Sequence, residues 1–247
     1  MKKISEDCSL IDPSQGECYW YLGIAEIFLG EQESGTKHIE EAKQKGGFAP
    51  AYIQLGAALI KQKNYKGAAE AYRMLTAEYP NNASFHAIYA LLSRELGDYA
   101  TAANEAVKVF ELQPDNNETE KFIIELLMLS PNDPSLYASL TFIYKKLGEE
   151  GKARQQLLKM ESIYYDLFAK NPQSYGYLLN LARVHKELGK FEKAYQEVVL
   201  LKKSVYKTNP DGYDKYINEM LQSMPPEYWN KYLTFLEEFR LLNKNKK

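Results

Sequence analysis

The sequence predicts an all-α solenoid, about five stacked helical hairpins closed by a C-terminal pair of capping helices, and three observations carry that expectation. The first is a repeated turn. "LGDYATAA" at 96–103 and "LGKFEKAY" at 188–195 share one pattern, and "LGEEGKAR" at 147–154 and "QKNYKGAA" at 62–69 are related to it. The second is a period: Pro80 and Pro114 stand 34 residues apart, as do Tyr65 and Tyr99, Ala68 and Ala102, and Leu75 and Val109. The third is amphipathicity, since apolar residues between the turns recur at three-and-four spacing, the pattern of a helix with one buried face.

Taken in order, residues 1–15 read as an N-terminal tail, and 16–116 as three hairpins. The first hairpin carries Tyr19, Leu22, Gly23, Gly30, Ile39 and Ala42, with a polar second helix in which Gly35 stands where the other hairpins place alanine. In the repeated turn, Gly97 or Gly189 ends the first helix in a left-handed conformation, and the following aromatic plugs the core. Ala68, Ala102, Ala153 and Ala194 then sit where a larger side chain would force the paired helices apart. Pro80, Pro114, Pro172 and Pro210 close their units, because proline has no N–H with which to continue a helix.

Residues 117–133 hold a single helix, "ETEKFIIELLML", before "SPNDPS" stops it with two prolines and a cap for the next helix, Ser135 or Asp133. Half a hairpin is missing there, so the expectation is a kink or a division of the stack. Residues 134–210 form two more hairpins, whose second helices run on through "ESIYYDLFAK" and "KKSVYKTN". In 211–247, Trp229, Tyr232, Leu233, Leu236 and Phe239 form an apolar stripe suited to covering the exposed end of the stack, ahead of a solvated basic tail, "NKNKK".

This pattern resembles the tetratricopeptide repeat family. In the second hairpin Tyr52, Leu55, Gly56, Leu59, Tyr65, Ala68, Tyr72, Leu75 and Pro80 occupy the family's signature positions. The third keeps Tyr89, Ala90, Leu96, Gly97, Tyr99, Ala102, Val109 and Pro114; later hairpins keep Tyr137, Leu140, Tyr144, Gly148 and Ala153, then Leu178, Leu181, Ala182, Gly189, Phe191 and Ala194. The resemblance implies a right-handed solenoid whose first helices line a concave, peptide-binding face. Members that hold acidic chaperone C-termini use Lys, Asn and Arg where this chain has Trp20, Ile24, Ala87 and Leu91, so that carboxylate clamp is absent.

Composition narrows the chemistry. A formal charge of −2 and a pI near 6.0 give no general basic footprint, which argues against nucleic acid. No apolar run approaches the ~20 residues of a membrane span, so membrane insertion is not expected. "MKKISEDCSLIDPS" lacks the apolar segment of an export signal, giving an expected cytoplasmic location, with a removed signal as the alternative. Cys8 and Cys18 read as free thiols of a reducing compartment, with a disulfide as the alternative.

No nucleophile, base and orienting group share a motif, no cysteine or histidine spacing suits a metal, and no cofactor loop is present, so no catalytic residue, metal or cofactor is assigned. His38, His86 and His185 read as ordinary helix histidines; Glu40–Glu41, Glu149–Glu150 and Glu237–Glu238 read as solvated faces.

What remains is the concave face. The family's register places Trp20, Ile24, Phe28, Ile53, Ala57 and Ile60 on its apolar part, then Ala87, Leu91, Arg94 and Glu95, and finally Ala138, Phe142, Lys145, Leu179, Arg183 and Lys186 where it turns polar. The expected function is therefore a non-catalytic scaffold or adaptor binding a protein or peptide segment, anchored by apolar residues and oriented by Arg94, Arg183 and Lys186. Two alternatives stand beside it: a self-assembling structural protein, with homo-oligomer contacts through the terminal faces or the long helix around Tyr164, Tyr165 and Phe168, and a binder of extended substrates similar to secretion chaperones.

Overall fold

The computed structural model describes residues 1–46, 48–115, 117–206 and 211–244, the side chains of 48, 51, 243 and 244 excepted. Pro210 and most of the basic tail therefore lie outside the described residues. Within them the chain is helical, without strands, and divides into two compact units, Met1–Phe122 and Ile123–Lys247.

In the first unit, α1 (Lys2–Ile11) precedes three hairpins: α2 (Gly16–Phe28) with α3 (Gln32–Gln44), α4 (Phe48–Lys61) with α5 (Tyr65–Glu78), and α6 (Ala83–Glu95) with α7 (Tyr99–Leu112). α8 (Glu118–Leu129) follows, and the division between the units falls inside it. The second unit pairs α9 (Pro134–Lys146) with α10 (Glu150–Lys170), and α11 (Tyr175–Glu187) with α12 (Phe191–Val205). α13 (Asp214–Gln222) and α14 (Pro226–Lys244) pack against each other, and α14 also packs on α12.

The repeated turns do what their residues dictate. Gly97, Gly148 and Gly189 adopt φ of 77°, 73° and 73°, the left-handed region that only glycine enters without steric cost. In "QKNY" the same slot is filled by Lys63 at φ 58°. Side-chain caps start the helices that follow: Asn64 accepts from the Gly67 N–H, Asp98 from the Thr101 N–H, and Asp133, not Ser135, caps α9 by accepting from the Ser135 N–H at 2.9 Å. Ala68, Ala102, Ala153 and Ala194 are fully covered where paired helices meet.

Gly35 explains itself in the same way. A Cβ at Gly35 would stand 2.6 Å from the Gly23 carbonyl oxygen, and one at Gly23 would stand 2.6 Å from the Gly35 carbonyl oxygen. The two backbones touch, so this hairpin is joined by a glycine pair where its neighbours use alanine.

Residues 1–15 differ from the expected tail. α1 forms there with no apolar stripe turned inward: Ile4, Leu10 and Ile11 are exposed. Polar and covalent links hold it instead. Lys2 donates to Glu31 at 2.5 Å and approaches Glu26 at 3.8 Å, Lys45 donates to the Pro13 carbonyl at 2.5 Å, and Cys8 is bonded to Cys18 across a Cα separation of 5.6 Å. The free-thiol reading is thereby corrected. The pairing follows from α1 doubling back along α2, an element that hydrophobic periodicity does not reveal.

The core of the first unit is built around Trp20, Ile24, Tyr52, Tyr72, Leu75 and Leu92. Burial pushes the Tyr52 phenol up to about 12. In the second unit, Leu157, Met160, Tyr164, Leu181 and Val184 form one cluster, and Val198, Leu201, Ile217, Leu221 and Tyr232 another. Of the expected C-terminal stripe, Tyr232 is fully buried and Trp229 and Leu236 pack beside it, whereas Leu233 is exposed.

Candidate functional site

Leu91 is the anchor from which the site is built. It lies exposed on α6 one turn after Ala87 and next to buried Ala90; across from them α7 presents Ala106 and Val109, and α8 presents Glu118, Thr119 and Phe122. Three alanines on facing helices leave room that leucine or valine would fill, and the result is a cavity of about 170 Å³ with a largely apolar lining. An apolar cavity of about 150 Å³ accepts a benzene-sized group, so this one has room for a single large apolar side chain. Arg94, one turn beyond Leu91, places its guanidinium 5.5 Å from the Phe122 ring centroid and bonds Glu95 at 3.1 Å. A cation thus stands at the rim of an apolar hole.

Of the residues expected on the binding face, Ala87, Leu91 and Arg94 meet here. Phe122, which completes the cavity, was missed because α8 stands outside the hairpin pattern. Elsewhere in the first unit Ile53 and Ala57 are exposed on α4, Ile60 is half-buried against the core, and Phe28 is 86% exposed at the end of α2. Trp20 and Ile24 are corrections. Trp20 is fully buried, its ring 4.2 Å from Tyr52 and edge-on to it, and Ile24 lies in the same core. "CYWYLGIAEIF" is apolar nearly all round, and such a helix is covered on more than one side.

In the second unit Leu179 is likewise buried, so it too leaves the list of accessible residues. Phe142 is half-buried beneath Lys146, whose Nζ is 5.5 Å from the ring centroid. Arg183 is exposed, stacks 5.3 Å over Tyr216 and donates to Asn180 Oδ1 at 3.3 Å; Lys186 donates to Ser223 Oγ at 3.2 Å and pairs with Glu187 at 3.0 Å. For the self-assembly alternative, Tyr164 is buried in the core and Tyr165 alone of the three named aromatics is exposed.

The histidines are not surface residues without partners. His38 Nδ1 lies 2.6 Å from Glu26, and His86 Nδ1 lies 2.6 Å from Glu105 while its Nε2 faces the Pro80 carbonyl at 2.9 Å. His185 is fully buried between Glu197 on Nδ1 and Glu161 on Nε2, both at 2.8 Å, with Lys190 donating to Glu161 at 2.6 Å. Burial pushes Glu161 up, but the bonds from Lys190 and His185 outweigh it and hold that carboxyl below the usual range; at Glu197 burial wins and the carboxyl is raised. These pairs tie α2 to α3, α6 to α7, and α10, α11 and α12 together. Their signal is non-local, since the partners stand 12 to 24 residues apart. Among the described residues, no group of three histidine, cysteine or acidic side chains has metal-holding geometry, and no helix is long and apolar enough to cross a membrane.

No family model and no curated protein matches the chain. Among solved structures, the chain is similar to a thermophilic TPR protein of Thermus thermophilus, at 16% identity over 83% of this chain and 99% of that one, with a TM-score of 0.32. A tetratricopeptide repeat protein of Parabacteroides merdae is 15% identical over 84% and 98%, with a TM-score of 0.32. The assembly chaperone of RpL4 is 14% identical over 99% and 91%, with a TM-score of 0.36. Paired helices joined by left-handed glycines and sealed by small residues make this an all-α protein of repeated helical hairpins.

Proposed function

We propose that the protein is a non-catalytic scaffold that holds a segment of a partner protein, with one large apolar side chain of that segment seated between α6, α7 and α8. The single observation that supports this most is the apolar cavity of about 170 Å³ beneath exposed Leu91. Burying one aromatic or leucine side chain there contributes about 1.5–3 kcal/mol, and Arg94 at the rim favours an acidic or polar neighbour on the same segment. The lining is apolar apart from Glu118 and Thr119, which favours recognition of an apolar side chain as its chemistry.

Selection from a displayed random-peptide library tests it. Wild-type protein should enrich peptides sharing one large apolar residue, and Leu91→Asp, at an exposed position, should lose that set while keeping its helicity. No enrichment, or enrichment indifferent to Leu91→Asp, would count against the cavity.

A further inference from the structure

The second unit carries a different surface. Lys145 on α9 reaches across to Glu187 on α11, and Lys186 pairs with that same carboxylate at 3.0 Å while also donating to Ser223, just past α13, at 3.2 Å. Arg183, one turn earlier on α11, lies over Tyr216 of α13. These contacts put α9, α11 and α13 on one shared face. Lys146 joins it through Phe142, over which its ammonium sits.

Four cations on this face have one bonded carboxylate among them. Glu187 is the one carboxylate bonded to any of Lys145, Lys146, Arg183 and Lys186 among the described residues, and two cations share it. Arg183 instead uses a neutral amide, Asn180, at 3.3 Å, and an aromatic ring. An exposed guanidinium over a tyrosine ring, bonded to no carboxylate, is suited to pairing with a planar carboxylate. Phe142 and Tyr216, half-buried and exposed respectively, give the aliphatic parts of a bound chain something to lie on.

We propose that this face takes an acidic segment of a partner protein, its carboxylates pairing with Arg183 and Lys146 and its stems resting on Tyr216 and Phe142. Glu187 is the register mark: it occupies Lys145 and Lys186 and leaves the two flanking cations for the ligand. The proposal does not depend on the cavity beneath Leu91, and the two sites lie in different units. Because the cations are solvent-exposed or nearly so, binding should be modest at physiological salt and should strengthen as salt is lowered.

The test uses full-length protein and a fluorescein-labelled synthetic peptide of alternating Glu and Ser, which has no large apolar side chain for the Leu91 cavity, read by anisotropy, with the matching Gln and Ser peptide as control. The expected result is binding of the Glu peptide alone, weakened at least about tenfold by Arg183→Gln with Lys146→Gln and unchanged by Leu91→Asp. Both substituted positions are solvent-accessible and neither supports the core, and circular dichroism of the double variant confirms its folding; Arg183→Lys, which keeps charge but loses the planar fork, should give an intermediate loss. Equal binding of the Gln peptide, no binding by wild type, or full affinity in the double variant would overturn the proposal. So would concentration-dependent dimerisation abolished by the double variant, which would name a second copy as the occupant. Loss of Glu-peptide binding in Leu91→Asp would place the peptide in the cavity and overturn it as well.

Discussion

Replacing Gly35 with alanine should destabilise the first unit, although alanine is the better helix former. The intrinsic gain is about 1 kcal/mol. Against it stands the crossing of α2 and α3, where the added methyl would meet the Gly23 carbonyl oxygen at 2.6 Å, Ile27 Cγ1 at 2.6 Å and the Ile27 N–H nitrogen at 3.0 Å. Two of those three atoms are backbone, so no rotamer change relieves the contact, and the helices must separate until ordinary contact near 3.4 Å is restored. Overpacking of this kind costs about 1–3 kcal/mol, and the rigid partner places it towards the upper end. The net loss is therefore about 1–2 kcal/mol. Differential scanning calorimetry should show the transition of the first unit several degrees lower. Gly176→Ala in α11 is the control, since a Cβ there meets nothing within 4 Å, and it should stabilise by about 0.4–1 kcal/mol. A Gly35→Ala protein that melts at or above wild type would refute the close approach of α2 and α3.

Other outcomes follow from the same geometry. Lys63→Gly should raise stability by about 1 kcal/mol in chemical denaturation, because Lys63 holds φ 58° where the equivalent turns use glycine. Glu161 has a folded pKa below its ordinary value near 4.5, so its contribution is complete above that value and is lost as pH falls through and below it; Glu161→Gln should lower neutral-pH stability and flatten the acid limb of the melting curve. Reducing the Cys8–Cys18 bond should speed amide exchange in α1, whose apolar residues contribute no packing, while leaving exchange around Leu91 unchanged.

Much of the fold is legible in the sequence because its requirements are local. A left-handed glycine, an aromatic two residues on and an alanine three further occur together in "LGDYATA", and each is needed by the turn or by the helix that follows it. The period of 34 then repeats that local logic. Binding-face residues are less legible, because periodicity tells which stripe of a helix is apolar but not whether a neighbour covers it. Ile24 and Leu91 occupy equivalent register positions, yet Ile24 is buried in the core of the first unit while the alanines of α6 and α7 leave Leu91 open. Phe122 and the histidine–glutamate pairs depend on elements brought together in space, and no short motif announces them. Gly35 shows why: in the sequence it is only a glycine where the other hairpins place alanine, whereas opposite Gly23 it is a steric requirement.

The most direct measurement of the account is an amide chemical-shift titration of the full chain with a peptide selected for one large apolar residue. The predicted result is a saturable set of shifts centred on Ala87, Leu91, Ala106 and Phe122, with Trp20, Ile24 and Leu179 silent. Shifts that avoid those four residues, or an unperturbed spectrum at saturating peptide, would contradict it.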